Sequence, residues 1–183
     1  INTSRSAQIT SIEAPVEHVS YPQPGFLSLV SVPSDFPTNR AALDYALACG
    51  ASVIALADIA DRACVSLALE AAASGTLVIG IMRSTGALDA LEQLVALAGD
   101  ERARTLSLLS GSLRASIYQT LLPHANGHAL VPAREIVQGS PEITRHLLHG
   151  RFNELRDRLA QRGNPDVRSL AEATAELKRK GAI

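Results

Sequence analysis

The chain has 183 residues, of which 46% are hydrophobic and only 3% aromatic, and its formal net charge is −1. This length and apolar content suffice for one domain with a buried core, or for one domain with a small appendage. Because the net charge is close to zero, the protein has no overall positive field that would attract nucleic acid or an anionic membrane. The sequence contains no run of 18 apolar residues, so no membrane-spanning segment is predicted. The two cysteines, Cys49 and Cys64, lie in segments that favour a buried helix or its edge, so we expect them to be reduced and structural.

The first half of the chain alternates predicted strands and helices. The segments "SVIALA" and "TLVIGIM" are short, continuous and apolar, which is typical of strands buried on both faces of a parallel sheet. Strand–helix–strand order implies parallel strands joined by right-handed crossovers. The predicted strands are 8–13, 26–32, 52–57 and 76–82, and the predicted helices are 38–50, 61–73, about 85–98 and about 100–114.

The second half of the chain follows a different pattern. Segments 115–123 and 129–137 flank Asn126-Gly127, which predicts an antiparallel hairpin. A helix is then expected with Ser140 as its cap and Pro141 in its first turn, followed by a break near Gly150. The last predicted helix covers about 167–180, and loops are expected at 14–25 and 162–166.

Charged side chains follow three of the predicted strands. Glu13 ends one strand, with Glu17 just beyond it, Asp58 follows the strand 52–57, and Arg83 follows the strand 76–82. Ligands of open parallel sheets bind beyond the carboxyl ends of the strands, where an anionic oxygen can hold Mg²⁺ or orient water for phosphoryl transfer. Asp61 starts the next helix, and it can serve this site or simply cap that helix, just as Asp58 can be an ordinary loop acid.

Two histidine pairs suggest an alternative of another class. His124/His128 and His146/His149 have spacings seen in metal sites, but no Cys or carboxylate completes either set. Solvated or partly buried histidines are the simpler interpretation, so no metal site is predicted. Basic residues are not clustered with aromatic ones, so we expect no nucleic-acid partner.

The order of several segments carries a family resemblance. "ITSIEAPVEHV", "SVIALADIAD", "GTLVIGIMRSTGA", "SGSLRASIYQTLLP" and "AREIVQGSPEI" occur in the order and spacing of the bacterial type II/type IV secretion ATPase superfamily. The chain most resembles the PilT-like retraction (twitching motility) ATPases of type IV pili. The resemblance implies an α/β fold: part of a RecA-like P-loop ATPase core, with helices on both faces of a parallel sheet, a β-hairpin and a C-terminal helical subdomain. It also implies two parts, residues 1–139 from the ATPase domain and residues 140–183 as the helical subdomain.

The resemblance implies roles for the charged residues at the strand ends. Glu13 and Asp58 are the implied catalytic residues, where the family has its Asp box and its Walker B acid. Asp61 and Glu17 are implied to support them close to Mg²⁺, and Arg83 stands at the His-box position. The residues that would hold the nucleotide are not identified, because no G-x-x-x-x-G-K-[ST] loop occurs in the sequence.

The sequence departs from the family pattern at several of these positions. Ala14 replaces the aspartate of the Asp box, Asp58 is one methylene shorter than the family's glutamate, and Arg83 replaces a histidine. The arginines that the family directs at a neighbouring subunit's phosphate would fall near Val30 and Ser34. These departures leave a second hypothesis open: a non-hydrolysing paralogue that acts as a structural or regulatory subunit of the same machinery.

The resemblance also implies the ligands, partners and location of the parent protein. These are ATP and Mg²⁺, a homo-oligomeric, hexameric ring, and a pilus or secretion platform protein, with the motor cytoplasmic and peripheral to the inner membrane. In the family the phosphate loop directly precedes the segment that begins here with Ile1. We therefore expect the chain to be a fragment of a longer protein, and we expect it not to bind ATP tightly by itself.

Overall fold

A computed structural model describes residues 1, 3–17, 25–59, 61–161 and 163–183. The chain divides into two compact units, residues 1–82 with 97–101 and residues 83–96 with 102–183. The predicted α/β class with a parallel sheet is confirmed. The division into an ATPase part, 1–139, and a helical subdomain, 140–183, stays a prediction. Among the described residues, no helix combines the length and the apolar character needed to cross a bilayer.

The first unit is built on a four-stranded sheet with the order β2-β1-β3-β4, in which all neighbouring strands are parallel. Its elements in chain order are β1 Gln8–Glu13, β2 Phe26–Ser31, α1 Asn39–Ala48, β3 Val53–Leu56, α2 Arg62–Ala73 and β4 Leu77–Gly80. Because the strands are parallel, their carboxyl ends meet at one edge of the sheet. In this register Glu13 lies opposite Ser31, and Leu56 lies opposite both Ile12 and Gly80.

The core of this unit lies around β3 and the two helices. Val53, Ile54 and Leu56 of β3 are buried, as the continuous apolar run predicted. Each helix begins at a side-chain cap. The side chain of Thr38 accepts a hydrogen bond from the N–H of Ala41 at the start of α1, and the side chain of Asp61 accepts one from the N–H of Cys64 at the start of α2. The buried residues of the two helices are Ala42, Leu43 and Ala46 of α1, and Cys64, Val65, Ala68, Leu69 and Ala71 of α2.

One expectation about burial was wrong in this unit. The strand β4 was expected to be buried, yet Leu77 and Ile79 are 39% and 49% exposed. Among the described residues β4 pairs with β3 alone, so it forms an edge of the sheet rather than its interior. Cys49 ends α1 and is exposed, whereas Cys64 is buried, and both thiols are free.

The second unit carries most of the helices and an antiparallel sheet with the order β5-β6-β7. The hairpin β5–β6 pairs from Ala115 opposite Gln138 to Pro123 opposite Leu130. The predicted tip is confirmed, since Gly127 has a φ of 73° and its N–H bonds to the carbonyl of His124. The remaining elements are α3 Ala87–Leu97, whose last residue belongs to the first unit, α4 Arg102–Ser112, β5 Ala115–Pro123, β6 Leu130–Gln138, α5 Pro141–Leu148, α6 Phe152–Ala160, β7 Val167–Arg168 and α7 Leu170–Arg179.

The helices of the second unit begin and end close to the predicted residues, with one exception. Ser140 caps α5, Pro141 is its first residue, and the chain breaks at Gly150 before α6. The last helix was expected from about 167, but it begins at Leu170. Val167 and Arg168 instead pair with β6 as a short strand, and Ser169 then starts α7 through a capping box with Glu172.

Candidate functional site

Glu13 is the last residue of β1, a strand with a neighbour on each side. Its side chain is half-buried, and both carboxylate oxygens accept hydrogen bonds. The hydroxyl of Ser11 donates to Oε1 at 2.6 Å, and the backbone N–H of Glu17 donates to Oε2 at 3.3 Å. The orientation of this carboxylate is therefore determined by its own strand and the turn that follows.

Asp58 lies just beyond β3, which is the neighbour of β1. The ladder continues past the strand, since the N–H of Ala57 donates to the carbonyl of Ile12 at 3.0 Å. The side-chain amide of Asn39 donates to the backbone carbonyl of Asp58 at 3.0 Å. The carboxylate of Asp58 is exposed, and it makes no hydrogen bond or ion pair with another described residue. The backbone of this acid is thus held in place, while its side chain is free to meet a ligand.

Asp61 is the cap of α2, as one of the two interpretations predicted. Its Oδ1 accepts a hydrogen bond from the N–H of Cys64 at 2.8 Å. Burial raises the pKa of the Cys64 thiol to about 11, and the negative charges of Asp61 and Asp58 add to this effect. The fold thus uses Asp61 to start the helix, and its second carboxylate oxygen is available for another partner.

The sheet brings some of the predicted residues together. Glu13, Glu17 and Asp58 all lie at or just beyond the carboxyl edge of the parallel sheet, on the adjacent strands β1 and β3. Glu17 is exposed, and its contact with Glu13 is through its backbone N–H. Arg83 is exposed between β4 and α3 and is the first residue of the second unit, so its approach to Glu13 and Asp58 stays a prediction.

Three contributors to this edge were missed in the sequence. Ser11 could have been found, because residues two apart in a strand project from the same face. Asn39 could not, since it lies 19 residues from Asp58. Asp35 follows β2 and its carboxylate accepts a hydrogen bond from the N–H of Ser31 at 2.8 Å, which adds a further acid near the same edge.

The arrangement provides oxygen ligands and a proton acceptor. The described residues contain no cluster of three or more His, Cys, Asp or Glu side chains that could hold a metal ion unaided. Mg²⁺ does not require such a cluster, because it commonly takes one or two carboxylates together with water and substrate phosphates. An exposed carboxylate such as that of Asp58 fits this use, and an oriented carboxylate such as that of Glu13 can accept a proton from water.

The histidine pairs do not form an alternative site in the described residues. His124 lies at the hairpin loop, where its Nδ1 accepts a hydrogen bond from the N–H of Asn126 at 3.1 Å. His146 is buried in α5, with its Nδ1 3.2 Å from Oε2 of Glu154, whereas His149 ends that helix and is exposed.

Known proteins of similar sequence match the whole chain. It is 27% identical over 184 residues to a twitching motility protein of Neisseria gonorrhoeae and 28% identical over 184 residues to the type IV pilus retraction ATPase PilT of Pseudomonas aeruginosa. Among solved structures, the pilus retraction motor PilT with bound ADP superposes with a TM-score of 0.88 at 25% identity, and the Legionella pneumophila ATPase DotB with a TM-score of 0.88 at 23% identity. Both structures match 100% of the chain. No protein-family model matches it.

The chain is similar to the bacterial type II/type IV secretion ATPase superfamily, and to PilT in particular. The predicted resemblance and the predicted fold are thereby confirmed. The chain spans about half the length of these relatives, 49% and 53% of the two sequences and 51% of each structure. The carboxyl edge that carries Glu13 and Asp58 thus belongs to a fold shared with ATPases over the full extent of this chain.

Proposed function

We propose that this chain is the C-terminal portion of a PilT-like ATPase, an ATP-driven ring motor of a type IV pilus or secretion machinery. One observation carries the proposal: Glu13 ends β1 and Asp58 follows the adjacent strand β3 at the carboxyl edge of a parallel sheet, in a chain similar along its whole length to a twitching motility protein and a retraction ATPase. Ligands of such sheets bind at this edge.

The residues at the edge are suited to different tasks in phosphoryl transfer. Catalysis of this reaction is mostly positioning and neutralisation of charge. Glu13, with its carboxylate held on both oxygens, orients the attacking water and takes its proton. Asp58 and Asp61 would hold Mg²⁺, which would supply positive charge beside the phosphates. Arg83 contributes a cation that stays charged at any physiological pH, in contrast to a histidine.

The partners follow from the same proposal. A motor of this kind works as a homo-oligomeric, hexameric ring and acts on a pilus or secretion platform protein at the inner membrane, with the ring on its cytoplasmic side. The names of the two relatives support the proposed assignment to a pilus or secretion machinery, since one is a twitching motility protein and the other a type IV pilus retraction ATPase.

A second function is favoured by the geometry of Asp58. Its exposed side chain is one methylene shorter than a glutamate, and no described residue directs it towards a ligand. A protein with this defect and with Ala14 in place of an acid could keep the fold and the ring contacts, yet hydrolyse ATP poorly. It would then serve as a structural or regulatory subunit.

Turnover of Mg²⁺-ATP by the full natural protein separates the two functions. The motor is expected to turn over at the rate of ordinary motor ATPases, and Glu13→Gln should lower kcat about 100-fold or more, because one well-placed group typically contributes this much. Asp44→Asn is the matched control, since Asp44 is an exposed acid of α1 that pairs with Arg40 at 3.0 Å. Nucleotide binding without turnover would establish the non-hydrolysing subunit, and absence of binding would refute both functions.

A further inference from the structure

Ser11 holds the carboxylate of the proposed catalytic glutamate in one orientation. Its hydroxyl donates to Oε1 of Glu13 at 2.6 Å, which is within the range of strong hydrogen bonds from a hydroxyl to a carboxylate. We propose that Ser11 is a positioning residue for ATP hydrolysis, which acts by aiming the carboxylate of Glu13. The inference rests on the proposed function and assigns a role to a residue for which the resemblance implied none.

The strand makes Ser11 a rigid support for this bond. In the sheet register Ser11 lies opposite Leu29 of β2 and Ala55 of β3, so its backbone is held from both sides. Residues two apart in a strand project from the same face, which brings the hydroxyl beside the side chain of Glu13. The geometry at Oε1 therefore depends on the sheet, rather than on a loop or on a bound ligand.

The second contact of the carboxylate is weaker. The N–H of Glu17 reaches Oε2 at 3.3 Å, which is longer than the usual distance for such a bond. A glutamate has three rotatable side-chain bonds, so a single long contact would leave its carboxylate free to turn. With the Ser11 bond in place, the remaining lone pairs face a fixed direction before any nucleotide arrives, which is the condition for efficient catalysis by a positioned group.

Loss of the hydroxyl should therefore lower kcat and leave KM for ATP unchanged. The bond orients a group that acts on water and makes no contribution to holding the nucleotide. A hydrogen bond to a charged group contributes enough to predict a reduction of roughly 10-fold in Ser11→Ala. Ser11→Ala should have no further effect on kcat in a Glu13→Gln background, because the carboxylate that Ser11 positions is already lost there.

The decisive comparison is between Ser11→Thr and Ser11→Val in the full natural protein. These side chains have nearly the same shape and both favour strands, but only threonine keeps the hydroxyl. We expect Ser11→Thr to retain kcat within about 2-fold and Ser11→Val to lose roughly 10-fold. Ser28→Ala is the control, since Ser28 is a half-buried serine of the neighbouring strand β2.

The outcomes separate this inference from the proposed function. Equal kcat for Ser11→Thr and Ser11→Val, with Glu13→Gln inactive, would overturn the role of Ser11 and leave the motor intact. A wild-type protein without turnover, or a fully active Glu13→Gln variant, would overturn the motor and this inference with it. A crystal structure of Ser11→Val gives a readout besides activity, because the carboxylate of Glu13 is expected to leave its present orientation. An unchanged orientation would also refute the inference.

Discussion

Replacement of Gly139 by alanine should strongly destabilise the second unit. Gly139 connects β6 to the helix α5, and its N–H donates to the carbonyl of Arg114 at 2.8 Å. A Cβ atom at this position would lie 2.0 Å from the carbonyl oxygen of Leu113 and 3.0 Å from its carbonyl carbon. Both atoms belong to the backbone, so no side chain can rotate away to relieve the clash.

The magnitude follows from two costs. The backbone has to separate by more than about 1 Å to restore ordinary contact, and overpacking of this kind typically costs about 1–3 kcal/mol. The same movement weakens the hydrogen bond from Gly139 to Arg114, which contributes about 1 kcal/mol. The free energy of unfolding should therefore fall by roughly 2–4 kcal/mol, and Tm by roughly 4–16 °C for a chain of this size.

Thermal and urea unfolding followed by far-UV circular dichroism measures this loss, and Gly111→Ala is the control. Gly111 is the second-last residue of α4, and a Cβ there would meet nothing within 4 Å. Alanine also favours the helix, so Gly111→Ala should raise stability by up to about 1 kcal/mol. A Gly139→Ala variant as stable as the wild type would refute the reasoning, because it would show that the backbone around Leu113 yields at little cost.

The remaining predictions concern the first unit. Asp61→Ala should lower the free energy of unfolding by about 1 kcal/mol through loss of the α2 cap, whereas Asp61→Asn should keep the cap and the stability. If Asp61→Asn also lowers ATP turnover, Asp61 serves Mg²⁺ as well as the helix; if it does not, capping is its whole role. The pKa of Cys64 is raised from 9.0 to about 11, so the stability due to its neutral thiol is present below pH 9 and is lost as the pH rises through 11. Urea unfolding between pH 8 and 11 should show that the free energy of unfolding of the wild type falls by roughly 2–3 kcal/mol. Cys64→Ala should not show this fall, and the same dependence of the unfolding free energy on pH in both proteins would contradict the prediction.

Local signals were sufficient for most of the elements. Thr38, Asp61 and Ser140 are caps whose side chains accept hydrogen bonds from the first turn, and each helix begins at the residue after its cap. The errors came from distant contacts. The exposure of β4 depends on its place in the order β2-β1-β3-β4, which its own residues do not reveal. The strand Val167–Arg168 has only two residues and exists through its pairing with β6.

The candidate site was predictable to the same extent. Parallel strands with acids at their ends place Glu13 and Asp58 at one edge, so this part required only the direction of the strands. The bonds that hold the acids were not predicted. The contact from Asn39 to the carbonyl of Asp58 joins a helix start to a distant strand end, and such a pair leaves no periodic signal in the sequence.

The two acids of the site are held in opposite ways, and this difference separates the two proposed functions. In Glu13 the side chain is fixed, since both carboxylate oxygens accept hydrogen bonds. In Asp58 the backbone is fixed through Asn39, and the exposed carboxylate has no hydrogen-bond partner among the described residues. The carboxylate of Glu13 is therefore oriented by the fold in either proposed function, and Asp58, together with Ala14, is the position that motivates the non-hydrolysing alternative. Mg²⁺ commonly keeps several of its water ligands, so a carboxylate one methylene shorter than that of a glutamate would still be able to help hold the ion at this edge.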